Sequence, residues 1–248
     1  MNTAAAHYDT HLGPVYSWMI GDVGAALARS SAELDDLHLP SPVPGTAVPR
    51  TAVDLGCGFG LHSLPLAKRG YRVTAIDSCQ PLLDELHVRA QALPITPVNA
   101  DLVGFTSYLQ GPVDAILCMG DTLTHLPGFS AVDSLLGAAA DSLAKGGLFA
   151  ATFRDYVSRT LLGDERFILV RSDEERILTC FLEYCGDHVV VHDLLHQRED
   201  GRWRQRVSSY PKLRLDPEKV ASKLTAHGLA VRRESGPSGM IRIVAMKP

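Results

Sequence analysis

The chain has 248 residues, with 24 Lys and Arg against 28 Asp and Glu, a formal net charge of −4 and 46% hydrophobic residues. It is long and apolar enough for one globular domain with an elaboration, and too apolar for a disordered chain. It lacks the basic excess of a nucleic-acid binder and any apolar run near the roughly 20 residues that span a bilayer.

The N-terminus, Met1 to Thr10, has no basic segment followed by an apolar stretch. The five cysteines (Cys57, Cys79, Cys118, Cys180 and Cys185) show no C-x-x-C spacing. Both features predict a cytoplasmic protein with free thiols and no metal site.

Residues 1–49 read as a helical lid and linker. Val15, Trp18, Met19, Val23, Ala26 and Leu27 recur at helical spacing and predict one apolar face. Pro40-Ser41-Pro42-Val43-Pro44-Gly45 then forces a connector.

Residues 50–154 alternate strand and helix. Strands are predicted at 51–55, 71–77, 95–101, 113–119 and 148–153, and helices at 61–69, 81–92 and 130–144. Ser78 is a candidate cap for the second of these helices. Such alternation predicts a doubly wound, mostly parallel sheet.

Residues 155–215 change to strand-like runs at 177–184, 189–196 and 203–213 with tight turns, which predicts an antiparallel β insertion. Residues 216–248 open on Asp216-Pro217-Glu218, a helix start. They close on two strands around Gly236-Pro237-Ser238-Gly239, a hairpin that completes the core sheet.

Chemistry concentrates at the ends of the parallel strands. Asp54-Leu55-Gly56-Cys57-Gly58-Phe59-Gly60 is a glycine-rich strand-to-helix turn, which lets backbone approach a ligand. Its G-x-G-x-G spacing differs from the dinucleotide fingerprint, because Leu61 stands where that fingerprint ends in glycine. An acid two residues before the first glycine repels a pyrophosphate and suits a cation. Asp77, 21 residues after Gly56, can accept from two ribose hydroxyls, and Asp101 from an adenine amino group. Together these point to S-adenosylmethionine (SAM).

On these residues, V-D-L-G-C-G-F-G with Ile76-Asp77 and Ala100-Asp101, the chain resembles the class I SAM-dependent methyltransferases, well over about residues 50–154. The resemblance implies a seven-stranded Rossmann-like α/β fold. It also implies cofactor contacts from Asp54, Gly56, Gly58, Gly60, Asp77, Ser78, Asp101 and Leu102, with Met119 and Gly120 beside the methionine part. Gly120-Asp121-Thr122-Leu123-Thr124-His125-Leu126 resembles a stretch of glycine N-methyltransferase-like enzymes, except that Asp121 replaces Asn. His125 is the candidate general base.

In Phe153-Arg154-Asp155-Tyr156 the same group implies that Arg154 clamps a substrate carboxylate, with Tyr156 beside it. Tyr16, in the lid, and Tyr210, in the insertion, are candidate aromatic walls for a cation. His188, His192 and His196 lie too far apart along a strand to share one metal.

These features predict methyl transfer to a small-molecule acceptor, an amine nitrogen first and an oxygen or sulfur second, with S-adenosylhomocysteine (SAH) as product. A nicotinamide oxidoreductase and a non-catalytic SAM-binding module stay as alternatives of other classes. Neither nucleic acid nor membrane is expected as a partner, and a homodimer stays open.

Overall fold

The computed structural model describes residues 3–40 and 49–248; the expected proline connector at 41–45 lies outside the described residues. In chain order the helices are α1 (Ala4–His7), α2 (Tyr16–Ile20), α3 (Val23–Asp36), α4 (Ser63–Lys68), α5 (Gln80–Ala90), α6 (Phe129–Ser142) and α7 (Pro217–Ala226). The strands are β1 (Arg50–Leu55), β2 (Tyr71–Asp77), β3 (Ile95–Asn99), β4 (Val113–Cys118), β5 (Leu143–Phe153), β6 (Phe167–Ser172), β7 (Arg176–Cys185), β8 (His188–Glu199), β9 (Arg202–Leu213), β10 (Ala230–Ser235) and β11 (Ile241–Met246).

Seven strands form the expected sheet, in the order β10-β11-β5-β4-β1-β2-β3. β1 to β5 run parallel to one another, and β11 enters antiparallel to β5, with β10 hairpinned onto it. The central strands read as nearly continuous apolar runs because both sheet faces are covered. Leu34, Leu64, Leu66, Leu83 and Leu86 of α3, α4 and α5 pack on one face. Val132, Leu135 and Leu136 of α6 and Val220 and Leu224 of α7 pack on the other. The C-terminal ends of β1 to β5 therefore open on one edge, where ligands bind in such sheets.

The insertion has four strands, β6-β7-β8-β9, one more than expected. β6 escapes the period-2 pattern because Phe167-Ile168-Leu169-Val170 is an unbroken apolar run on an edge strand, and its pairing with β7 shifts register between Leu169 and Arg171. Val189, Val191 and Leu195 of β8 are buried, and this face of the insertion packs against the N-terminal segment.

That segment is helical but does not carry one continuous apolar face. Gly21, at φ 87, ends α2, and Asp22 caps α3 by accepting from the Ala25 amide at 2.9 Å. Val15, Trp18 and Met19 turn to the insertion with Leu178 and Leu195, while Val23 packs near Phe59 and Leu27 against the sheet. Two other expectations change locally. Ser78 does not cap α5; the cap position is Cys79, whose amide donates to Asp77 Oδ1 at 2.9 Å. β3 stops at Asn99, so Asp101 lies in the following loop, where its Oδ1 accepts from the Val103 amide at 2.8 Å. Among the described residues no helix is long and apolar enough to cross a membrane.

Gly60 shows why the turn after β1 needs glycine. Its φ is +94, and an added Cβ would sit 2.4 Å from Cδ1 of the buried Leu86. Gly60→Ala is expected to lower stability by about 1–3 kcal/mol, as overpacking of a filled core does. Denaturant titration reads it; unchanged stability would contradict this packing.

Candidate active site

The turn after β1 turns back under β2. The Gly56 and Cys57 amides donate to the Ile76 carbonyl at 2.8 and 3.1 Å. The Gly58 amide donates to Asp77 Oδ2 at 2.8 Å. Each Asp77 oxygen thus holds one backbone N–H and keeps lone-pair capacity for a ligand hydroxyl. Burial pushes the Asp77 carboxyl up, and the two amides oppose it.

Above this edge lies a cavity of about 300 Å³. Gly56, Gly58, Asp77, Ser78, Asp101, Leu102, Met119, Gly120, Tyr16 and His125 all line it. Gly120 has φ +69, and an added Cβ would meet nothing within 4 Å, so backbone is open to a close ligand there. Neither lysine nor arginine is among the lining residues. This is a poor setting for phosphates and a compatible one for a cationic ligand with ribose hydroxyls.

Two expected cofactor residues stand behind the cavity rather than in it. Asp54 is 1% exposed and accepts from the Ser63 hydroxyl at 2.6 Å. Burial pushes its carboxyl up. It therefore ties β1 to α4 and is not among the residues that line the cavity. Gly60 lies under Leu86, in the packing described above.

A second cavity, of about 740 Å³, opens on the insertion side. Arg154, Tyr156 and Tyr210 line it, with Arg159, Asp193, Lys212 and apolar walls from Leu178, Leu182 and Val191. Arg154 is exposed, and its Nη1 donates to the Ser238 carbonyl at 3.3 Å. Among the described residues it forms no ion pair with a carboxylate. Tyr8 lines both cavities.

Four rings meet at this junction. The Tyr8 centroid lies 5.9 Å from Tyr16, 5.5 Å from His125 and 6.1 Å from Tyr210, and His125 lies 5.6 Å from Tyr210. Burial raises the Tyr8 and Tyr210 phenols well above their ordinary value, and pushes Tyr16 and Tyr156 up to about 12. Burial, reinforced by the Lys212 cation, pushes His125 down to about 3. Its Nε2 is buried and has no hydrogen-bond partner among the described residues. The junction is thus walled by neutral rings at neutral pH.

Its charge sits beside them. Lys212 Nζ donates to Asp121 Oδ2 at 2.6 Å, and both side chains are nearly buried. The other carboxylate oxygen of Asp121 accepts from the Arg154 amide at 2.9 Å. Burial alone would raise the Asp121 carboxyl; the Lys212 charge and the hydrogen bonds from Lys212 and the Arg154 amide hold it below its ordinary value. Burial likewise opposes the Lys212 charge, and Asp121 raises its pKa. In the sequence, Asp121 stands out only as a departure from a motif, and Lys212 carries no signal of its own. Lys212 is 91 residues from its partner, so no local spacing signals the pair.

Comparison with known proteins gives a consistent answer for the fold. Residues 52–147 match the family described as a methyltransferase domain. The CcbJ methyltransferase of Streptomyces caelestis superposes with a TM-score of 0.76 over 97% of this chain and 98% of its own, at 19% identity. SAM-bound CalS10, an amino pentose methyltransferase from Micromonospora echinaspora, gives 0.74 over 96% and 97%, at 16% identity. A ubiquinone biosynthesis O-methyltransferase of Xylella fastidiosa is 33% identical over 137 residues, 54% of this chain and 51% of that protein. The chain thus spans about half the length of that relative, and about a quarter of other curated relatives it matches. Residues 52–147 are thus similar to a methyltransferase domain, and the chain as a whole shares the Rossmann-like fold of these solved methyltransferases.

His125 has a consequence for stability. The folded chain keeps it neutral down to about pH 3, whereas the unfolded chain protonates it near pH 6.5. The unfolded state then binds more protons in that window, so stability is full above about pH 6.5 and falls as the pH drops toward 3. His125→Asn is expected to narrow the stability gap between pH 7 and pH 5, measured by urea unfolding at both. An unchanged gap would contradict a neutral, buried imidazole.

Proposed function

We propose that the chain is a SAM-dependent methyltransferase whose acceptor is an amine nitrogen of a small molecule that also bears an anionic group. The observation that carries this reading is the meeting of two unlike cavities at Tyr8, one lined by Asp77 and the glycine turn, the other by Arg154 and Arg159. SAM, when bound, supplies an activated methyl on a sulfonium.

The chain's own residues do the rest. Asp77 would hold the ribose hydroxyls, and Asp101 with Ser78 and Leu102 the base end. Gly56, Gly58 and Gly120 admit backbone to close range, and Met119 backs the methionine end. The faces of Tyr8, Tyr16 and Tyr210 surround the crossing point, where ring quadrupoles stabilise a cation by about 0.5–2 kcal/mol. Exclusion of water there favours in-line geometry over hydrolysis.

His125 fits this role as a neutral wall with a free nitrogen. An imidazole held near 3 stores no proton at neutral pH, so the acceptor's ammonium loses its proton to water before attack. The anionic group belongs at Arg154, beside Tyr156. A cavity of about 740 Å³ favours an acceptor bulkier than glycine, with an apolar body against Leu178, Leu182 and Val191. The description of one fold neighbour as an amino pentose methyltransferase supports a nitrogen acceptor. The absence of lysine and arginine from the cofactor cavity argues against a nicotinamide dinucleotide.

The direct test is SAH release on incubation with SAM and panels of amines, amino acids, phenols and thiols. Turnover is expected with amines that carry a carboxylate or phosphate; turnover confined to phenols or thiols would refute the nitrogen assignment. Asp77→Ala is expected to weaken SAM binding by about 1–3 kcal/mol in calorimetry. Arg154→Ala is expected to raise acceptor KM tenfold or more with SAM affinity unchanged. Equal loss of both would remove Arg154 from the acceptor site.

A further inference from the structure

His7 lines neither cavity, yet it joins the walls of both. It ends α1, whose Ala4 and Ala5 line the cofactor cavity together with Tyr8, the next residue. Its ring is fully buried. Nε2 lies 2.9 Å from Asp193 Oδ2 on β8, and Nδ1 lies 2.8 Å from Ser208 Oγ on β9. A carboxylate oxygen accepts, so Nε2 carries a proton toward Asp193, while Nδ1 shares a hydrogen bond with the Ser208 hydroxyl. The same ring stacks on Tyr210, with centroids 4.2 Å apart and planes at 29°. Asp193 and Tyr210 both line the acceptor cavity.

One side chain therefore has three partners on the insertion, while its own backbone belongs to the cofactor wall. α1 is a single turn that runs directly into the helical turn Tyr8–Leu12. The continuing turn anchors it through Leu12, and the remaining contacts on either side are the insertion, through His7, and whatever fills the cofactor cavity against Ala4, Ala5 and Tyr8. A polar ring buried with both nitrogens satisfied has one good placement, because any shift lengthens its bonds to Asp193 and Ser208 and leaves a buried nitrogen unsatisfied. Movement of α1 and placement of Tyr210 are thus tied to each other.

We propose that His7 is a positioning residue that couples the two cavities. Occupation of the cofactor cavity fixes α1, and His7 passes that constraint to Asp193 and Tyr210, so a filled cofactor site presents a formed acceptor wall. By linkage the coupling is mutual: an acceptor that seats Tyr210 also tightens the hold on the cofactor. The proposal rests on the assignment of SAM to the glycine-lined cavity. It assigns His7 no contact with either ligand.

The test is hydrogen exchange on the full chain with and without saturating SAH. In the wild type, SAH is expected to slow exchange in residues 54–63 and 118–125, which border the cofactor cavity. It is also expected to slow exchange around Asp193 and in residues 207–212 of the insertion, which do not line it. In His7→Ala the first protection persists and the second falls at least tenfold. His7→Gln, which can still donate to Asp193, restores part of it. A general loss of stability would lower both protections together, so the selective loss separates coupling from a merely structural role.

Equal protection of residues 207–212 in wild type and His7→Ala overturns the proposal, as does its absence in the wild type while 54–63 are protected. Absence of protection at 54–63 in the wild type overturns the cofactor assignment itself, and the coupling with it. If His7→Ala does not fold, Ser208→Ala decides, since it removes the hydroxyl that bonds His7 Nδ1 and leaves the ring stack. A partial loss at 207–212 supports the coupling, and no loss refutes it.

Discussion

The site depends on the ion pair between Asp121 and Lys212. Asp121 follows β4 in the core and Lys212 lies near the end of β9 in the insertion, so the 2.6 Å contact joins the two halves of the molecule at the catalytic edge. Burying two charges costs solvation, and the pair holds only when the remaining hydrogen-bonding capacity is met. Here the second Asp121 oxygen takes the Arg154 amide, so one carboxylate also fixes the backbone at the end of β5. Loss of either partner would leave the other charge stranded among buried rings.

The same pair sets the electrostatics around it. Lys212 adds to burial in holding His125 unprotonated. Burial keeps Tyr8, Tyr16, Tyr156 and Tyr210 as phenols. With the lysine neutralised by Asp121, the junction presents a cation with aromatic faces and no net charge of its own. That suits a reaction in which positive charge passes from sulfur to nitrogen and little new charge is created.

Legibility followed the range of the interactions. The parallel sheet could be read because β1, β2 and β4 are apolar runs punctuated by glycine or aspartate, signals contained within a few residues. The lining of the glycine-rich cavity shares that property: Gly56, Gly58, Asp77 and Gly120 each sit where a strand meets its turn. The side chain of Asp54 turns inward to Ser63, a direction that spacing does not encode. β6 was missed because an edge strand without alternation looks like any apolar loop. The acceptor side was the least legible, since Lys212 finds Asp121 across 91 residues and His7 finds Asp193 across 186.

This division has a physical origin. The glycine-lined cavity is shaped largely by backbone, through glycines with positive φ and peptide N–H groups; fold neighbours at 16–19% identity keep the architecture over nearly the whole chain. The acceptor half is built from side chains on a sheet whose successive residues face opposite sides. On β8, Val189, Val191 and Asp193 face the cavity side while His192 turns away to Glu183. A substitution at an inward position can therefore reshape the acceptor cavity without disturbing β-ladder hydrogen bonds or the cofactor turn. Asp121, Lys212 and His7 are constrained differently, because each bonds across both halves at once.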